Sequence, residues 1–238
     1  MDTRQKVAVV AGVGPGLGEA LCRKLAGTGF AVAGIARSDD FAGHLADELR
    51  AAGGLMSAFR CDTTDVGSVE DCFRAIEDAF AAPAVLIYNA GAFLMKPFAE
   101  TTPEEFERMW AVNCRGAFLC ARRVVPGMLN RKQGTILFTG ATASVKPGAS
   151  FSAFGSSKYA LRGMAQSMAR ELGTCGIHVA HVVIDGVIWT PRTSGIPGIT
   201  EASTLSPNAI ADTYVHLIQQ DRSAWTLELD VRPDVEPF

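Results

Sequence analysis

Short, almost continuously apolar runs alternate along this chain with stretches of three- and four-residue apolar spacing, and that alternation limits the fold more than any single residue does. Residues 7–11 (Val-Ala-Val-Val-Ala) read as a buried strand, after which Leu17, Ala20, Leu21 and Leu25 place one apolar face on a helix. The same beat predicts further strands over 31–36, 56–60, 85–89, 135–138, 177–184 and 224–229. It predicts helices over 45–52, 69–80, 152–172 and 207–219, with a long helix opening at Thr102. There Thr102 is placed as the N-cap, Pro103 suits the first helical position, and Glu105 completes a capping box. Strands that are apolar throughout belong to a parallel sheet covered by helices on both faces. The expected fold is therefore α/β and doubly wound, and 238 residues suit one domain spanning 1–238. The stretch 191–206, rich in Pro, Gly, Ser and Thr, reads as a long loop where ligand-covering lids occur in such folds.

Charge and cysteine usage narrow the partners. With 22 basic and 25 acidic residues the net charge is -3, which offers no broad field for nucleic acid or anionic lipid. The N-terminal run reaches glycine and proline too soon to be a signal core or a membrane span. Cys22, Cys61, Cys72, Cys114, Cys120 and Cys175 form no C-x-x-C pair and have no histidine cluster beside them, so neither a metal site nor a disulfide framework is expected. Buried, reduced thiols in a cytoplasmic protein are the expectation. His44, His178, His181 and His216 are scattered. His178 and His181 share a strand but point to opposite faces, and His181 is nearer the strand's carboxyl end.

Chemistry enters at the first turn. The strand ends in Ala11-Gly12-Val13-Gly14-Pro15-Gly16-Leu17-Gly18 and runs straight into a helix. Glycines there let the backbone approach a pyrophosphate, whose charge is met by N–H groups at the helix N-terminus; a tight structural turn would also use glycine. The second strand closes with Ala36-Arg37-Ser38, where a dinucleotide site reads the adenosine ribose. Arg37 suits the 2'-phosphate of NADP, although Asp39 and Asp40 follow closely and an ordinary solvated charge is the alternative.

The spacing Gly12-x-x-x-Gly16-x-Gly18, with Asp62 after the third strand, Asn89-Ala90-Gly91 after the fourth, Asn113 in the long helix and Lys158 in the next, resembles the short-chain dehydrogenase/reductase family over essentially the whole chain. The resemblance implies a three-layer Rossmann sandwich with strand order 3-2-1-4-5-6-7 and a nicotinamide cofactor across the carboxyl ends of the strands. It also implies a homodimer or homotetramer built on the two long helices. In that family a Tyr four residues before the Lys is the general acid or base, the Lys lowers its pKa and binds the nicotinamide ribose, a Ser steadies the substrate carbonyl, and an Asn holds a relay water. Asn113 and Lys158 match this pattern, but Phe154 stands at the Tyr position and Ala141 at the Ser position. Thr190, four residues beyond Gly186, falls where the family binds the nicotinamide amide.

Smaller departures accompany these. Ala11 replaces the usual Thr, Pro15 brings no N–H, Tyr88 takes the place of the first Asn of Asn-Asn-Ala-Gly, and Asp185-Gly186 occupies the usual Pro-Gly. The chain thus resembles a subgroup with an incomplete glycine motif and Phe beside a retained Lys. A phenyl ring cannot exchange a proton, and losing a positioned general acid costs roughly 10²- to 10⁴-fold in rate. Tyr159 lies about 100° around the helix from Lys158 and should face elsewhere. Tyr88 and Tyr214 match no catalytic position. Thr142, Ser144, Ser150 and Ser152 flank the site, and Lys158 itself is an acid if burial lowers its pKa. Phe93, Leu94, Met95, Trp110, Phe151 and Trp189 are candidates for an apolar pocket lining. The sequence-level expectation is an NADP-preferring oxidoreductase, with NAD possible, acting on a small carbonyl or alcohol through an altered site. The alternative is a nucleotide-binding descendant without redox chemistry: a lyase, an isomerase or a regulatory binding protein.

Overall fold

Seven strands form one parallel sheet, which reads third, second, first, fourth, fifth, sixth, seventh in chain order from one edge to the other. The computed structural model describes residues 6–38 and 40–235, so Asp39, residues 1–5 and residues 236–238 lie outside the description. The strands are β1 (Val7–Ala11), β2 (Ala31–Ala36), β3 (Leu55–Arg60), β4 (Val85–Tyr88), β5 (Gly134–Thr139), β6 (Ile177–Ile184) and β7 (Glu228–Val231). The α-helices are α1 (Leu17–Gly27), α2 (Asp40–Ala51), α3 (Val66–Ala79), α4 (Pro103–Trp110), α5 (Gly116–Arg131), α6 (Ser152–Gly173) and α7 (Pro207–Gln219).

Helices cover both faces, as the unbroken apolar strands require. Val7, Val9 and Ala11 of β1 pack in the layer of α3, α5 and α6 with Phe73, Val124 and Leu161. Ala8 and Val10 pack in the opposite layer with Leu21, Leu45 and Tyr214 of α1, α2 and α7. Burial of both strand faces is why a period-two pattern is missing from the sequence. Reversal of strand order across β1 and β4 opens a crevice at their carboxyl ends, the place where doubly wound sheets bind ligands.

Most boundaries fall within three residues of the sequence expectation, and three differences go further. The first is α2, which begins at Asp40 rather than at 45. The long helix entered through Thr102 has its full capping box but is interrupted by a π-helical turn over Ala111–Arg115 before α5 resumes. The last strand falls at Glu228–Val231 instead of 224–229. Asp221 caps a tight turn over Arg222–Ala224, and Gln220 brackets Thr226 through two side-chain hydrogen bonds of 2.8 and 2.9 Å. Trp225 then stacks on His178 at 4.9 Å, so the first half of the expected strand is held off the sheet.

Candidate active site

Gly12 takes φ +97°, and a Cβ there would lie 2.4 Å from the Ala90 backbone nitrogen. That contact brings the end of β1 against the end of β4, and Asn89 Nδ2 locks it by donating to Gly12 O at 3.0 Å. Gly18 is equally confined, since a Cβ would meet Gly12 O at 2.4 Å. No side chain caps the first turn of α1, whose N-cap Gly16 has φ +111° and whose Leu17 is buried. Its leading N–H groups could hold an anion. Thr190 closes over this turn, its Cγ2 standing 2.5 Å from where a Gly16 Cβ would sit, and a cleft of about 570 Å³ lies beside it between α1 and Trp189, Pro191 and Ser194.

Arg37 is exposed at the end of β2. Asp62 lies nearby in charge terms: the Thr64 hydroxyl and N–H hold its carboxyl below the usual range, and Arg37 and Arg115 add to this. Asp62 Oδ1 accepts from Thr64 N at 2.9 Å and from Thr64 Oγ1 at 2.7 Å, which shapes the turn leaving β3.

Gly91, Asn113 and Lys158 meet at the carboxyl ends of β4 and β5. A Cβ on Gly91 would lie 3.4 Å from Asn113 Oδ1 and 3.8 Å from Lys158 Nζ. The π-helical turn delivers Asn113, which is fully buried. Its Nδ2 donates to Ala92 O at 3.0 Å and to Ser157 Oγ at 2.9 Å, while its Oδ1 accepts from Ala92 N at 2.9 Å. Lys158 reaches up from α6 and donates to Thr139 O at 2.9 Å. Burial pushes its pKa down to about 8.

Phe154 is buried one turn before Lys158, its ring centroid 5.9 Å from Nζ. It forms an aromatic cluster with Phe93 at 5.2 Å and Phe151 at 6.2 Å. Phe93 and Phe151 of the anticipated pocket lining therefore do meet here; Trp189 lines the cleft by Gly16, and Trp110 is exposed on α4.

None of the three tyrosine hydroxyls reaches Lys158. Tyr159 faces outward, as expected, and donates to Val145 O. Tyr88 is buried and donates to Val112 O at 2.7 Å, and Tyr214 pairs with Thr139 Oγ1 at 2.8 Å; burial pushes both phenols up. Ser144 is spent on Ala141, whose N–H donates to its Oγ at 3.1 Å. Asp185 binds Arg232 Nη2 at 2.6 Å and Lys146 Nζ at 3.2 Å. All six cysteines are unpaired, five buried and Cys175 exposed. Among the described residues there is no cluster able to hold a metal and no helix long and apolar enough to cross a membrane.

Two features of the site escape sequence reasoning. Ser157, which fixes Asn113, looks like any helical serine, and the His181–Glu228–Arg162 chain behind Lys158 joins residues far apart in sequence. Only the position of His181 near a strand end signalled the second.

The glycine turn, the sheet order and the buried Lys–Asn pair define a dinucleotide-type oxidoreductase scaffold. The family model for short chain dehydrogenases matches residues 6–197, and the chain belongs to that family. It is similar to a crystal structure of a short-chain dehydrogenase from Rhodopseudomonas palustris, 37% identical with a TM-score of 0.84, covering 97% of this chain and 99% of that one. A metagenomic short-chain oxidoreductase crystallised in complex with NADP is 29% identical, with a TM-score of 0.85 and 98% of each chain covered. An uncharacterized oxidoreductase of Staphylococcus epidermidis is 26% identical over 230 residues, 97% of this chain and 98% of that protein.

Proposed function

We propose that the chain is an NADP(H)-preferring short-chain oxidoreductase that acts on a small carbonyl or alcohol through an altered active site. The observation that carries this reading is Lys158, a buried ammonium with one hydrogen bond at the ligand-binding end of the sheet. Such a group destabilises a fold, so its retention beside Asn113 and Gly91 points to use.

The residues present fit the cofactor. Gly12, Gly16, Leu17 and Gly18 would seat its pyrophosphate on the uncapped start of α1, because the turn has no room for a Cβ at Gly12 or Gly18. Arg37 would meet the 2'-phosphate, and Asp62 with Asn89, Ala90 and Gly91 would line the adenosine side. Thr190 would take the nicotinamide amide and Lys158 the ribose. NAD is the weaker alternative, since Arg37 is the cation placed for the extra phosphate. When bound, the nicotinamide supplies or takes up hydride.

On the substrate side, Phe154 holds the family's tyrosine position and Ala141 its serine position. Phe93, Phe151 and Phe154 present an apolar wall there. Lys158 Nζ holds the proton: with a pKa near 8 it is charged at pH 7 yet gives the proton up far more readily than a free lysine. It donates to the substrate oxygen on reduction and accepts from the hydroxyl on oxidation. Asn113, bound on three sides, keeps the 89–92 segment facing Lys158. The same proposal takes 1–238 as one domain with 191–206 as the substrate loop. It also takes a cytoplasmic homodimer or homotetramer built on the two long helices, α4–α5 and α6, where Phe106, Trp110, Phe118 and Tyr159 are exposed.

A second reading, a nucleotide-binding descendant without redox chemistry, is favoured by the commitment of every tyrosine hydroxyl and of Ser144 elsewhere. Calorimetric titration with NADPH and NADH, then a carbonyl panel on wild type and Phe154→Tyr, separates the two. NADPH binding with turnover that rises roughly 10- to 100-fold in Phe154→Tyr supports the first. Binding without turnover in either protein supports the second, and no binding of either nucleotide ends both.

A further inference from the structure

His181 is fully buried on β6, and the chemistry proposed above leaves it idle. Its side chain lies in the α6 layer, because Ile177 and Val179 at alternate positions of the same strand pack there. On one side Nδ1 is 3.3 Å from Glu228 Oε2, in ion-pair range but off the line of a hydrogen bond. Glu228 is the β7 residue directly opposite His181. Arg162 clamps that carboxylate with two bonds of 2.7 and 2.6 Å, and Arg162 sits one helical turn beyond Lys158 on α6. On the other side Nε2 faces the residue just past β5, where a Cβ on Gly140 would meet it at 2.4 Å.

Sheet order turns these contacts into an arrangement. The strands run β5-β6-β7, so the imidazole has the Glu228 carboxylate of β7 on one side and, on the other, Gly140, the neighbour of the Thr139 whose carbonyl holds Lys158 Nζ. Opposite charges attract strongly in a poorly polarisable interior, and a lysine stem is flexible enough to turn toward a carboxylate. Burial pushes the His181 pKa down to about 4, the Lys158 and Arg162 charges assisting and Glu228 opposing, so the ring is neutral at physiological pH. The charges that act most strongly on it are Glu228 from β7 and Lys158 and Arg162 from α6.

We propose that His181 is a positioning residue for Lys158: its neutral ring, wedged between β5 and β7, keeps the ammonium from pairing with Glu228 and so holds it on the Thr139 carbonyl, facing Asn113 and Phe154. The inference rests on the functional reading only in taking Lys158 as the working group, and its test does not need a cofactor. The titration of Lys158 is followed by the NMR shift of its ε-carbon, assigned by its loss in Lys158→Met.

Removing the wedge in His181→Ala lets the ammonium meet the carboxylate, and the midpoint rises by about one pH unit, a tenfold gain in proton affinity. Adding Glu228→Gln returns the midpoint to the wild-type value, since no carboxylate is left to pair with. His181→Leu, which keeps a neutral volume in place, stays near wild type. An unchanged midpoint in His181→Ala, or a shift that persists in the double variant, overturns the proposal, because a side chain that merely fills space would act independently of Glu228. Should His181→Ala fail to fold, His181→Thr, a smaller side chain suited to a strand, must raise the midpoint in the same Glu228-dependent way; no rise overturns the proposal. Absence of NADPH binding in the wild type would refute the functional reading and leave this titration intact.

Discussion

Lys158 shows at the scale of one residue how a site is maintained against stability. Its pKa falls from 10.5 to about 8 on burial, so the folded protein resists protonation that the unfolded chain accepts. Below pH 8 both states are protonated and the cost is constant, roughly 3 kcal/mol at about 1.4 kcal/mol per unit. Between pH 8 and 10.5 the folded amine is neutral while the unfolded one is still charged, so the cost fades as pH rises. Replacing Lys158 by Met removes that cost but leaves Thr139 O without its donor, which returns about 1 kcal/mol. Lys158→Met is therefore expected to be inactive yet more stable by about 2 kcal/mol at pH 7, with the gain largely gone by pH 10. Urea unfolding of both proteins at the two pH values measures this. An equal difference at pH 7 and pH 10 would show that burial of charge is not what Lys158 costs.

The interrupted helix carries the argument at the scale of an element. Thr102 and Glu105 announce where it begins, because a capping box is written in residue types at fixed spacing. Its break at Ala111–Arg115 has no such signature: a π-helical turn is a shift of backbone hydrogen bonds that tertiary contacts impose, here with Tyr88 reaching Val112 O and Asn113 tied to Ala92. The last strand was misplaced for a related reason. The apolar run over 224–229 favours a strand, but Trp225 gains more by stacking on His178, which lies 47 residues earlier in the chain. Asn113→Ala tests the break directly, since it strips Ala92 of two hydrogen bonds and Ser157 of one. A loss of about 2–3 kcal/mol in urea unfolding is expected at about 1 kcal/mol per bond, with weaker NADPH binding alongside. A loss under about 0.5 kcal/mol would mean that the turn holds itself without the side chain.

For the whole molecule, the sheet was legible because its cause is local and repeated: seven short runs, the five inner ones buried along nearly their whole length, leave few arrangements besides a covered parallel sheet. The turn after β1 was legible because glycine at Gly12, Gly16 and Gly18 answers a backbone requirement that sequence displays. The wall behind Lys158 was not, since His181 and Glu228 become neighbours only through the register of β6 with β7. Whether these parts act together is read best from global stability, which any ligand of the folded state must raise. NADPH at a hundredfold excess over its dissociation constant adds about 2.7 kcal/mol, and at about 2–4 °C per kcal/mol for a chain of this size the melting temperature rises by roughly 5–10 °C. NADH at the same concentration should give a smaller shift. Arg37→Ala should shrink the NADPH shift to that of NADH while leaving the NADH shift in place, because Arg37 is the cation proposed to meet the 2'-phosphate. Equal shifts for the two nucleotides in the wild type, or an equal loss of both in Arg37→Ala, would remove Arg37 from the site and with it the preference for NADP over NAD.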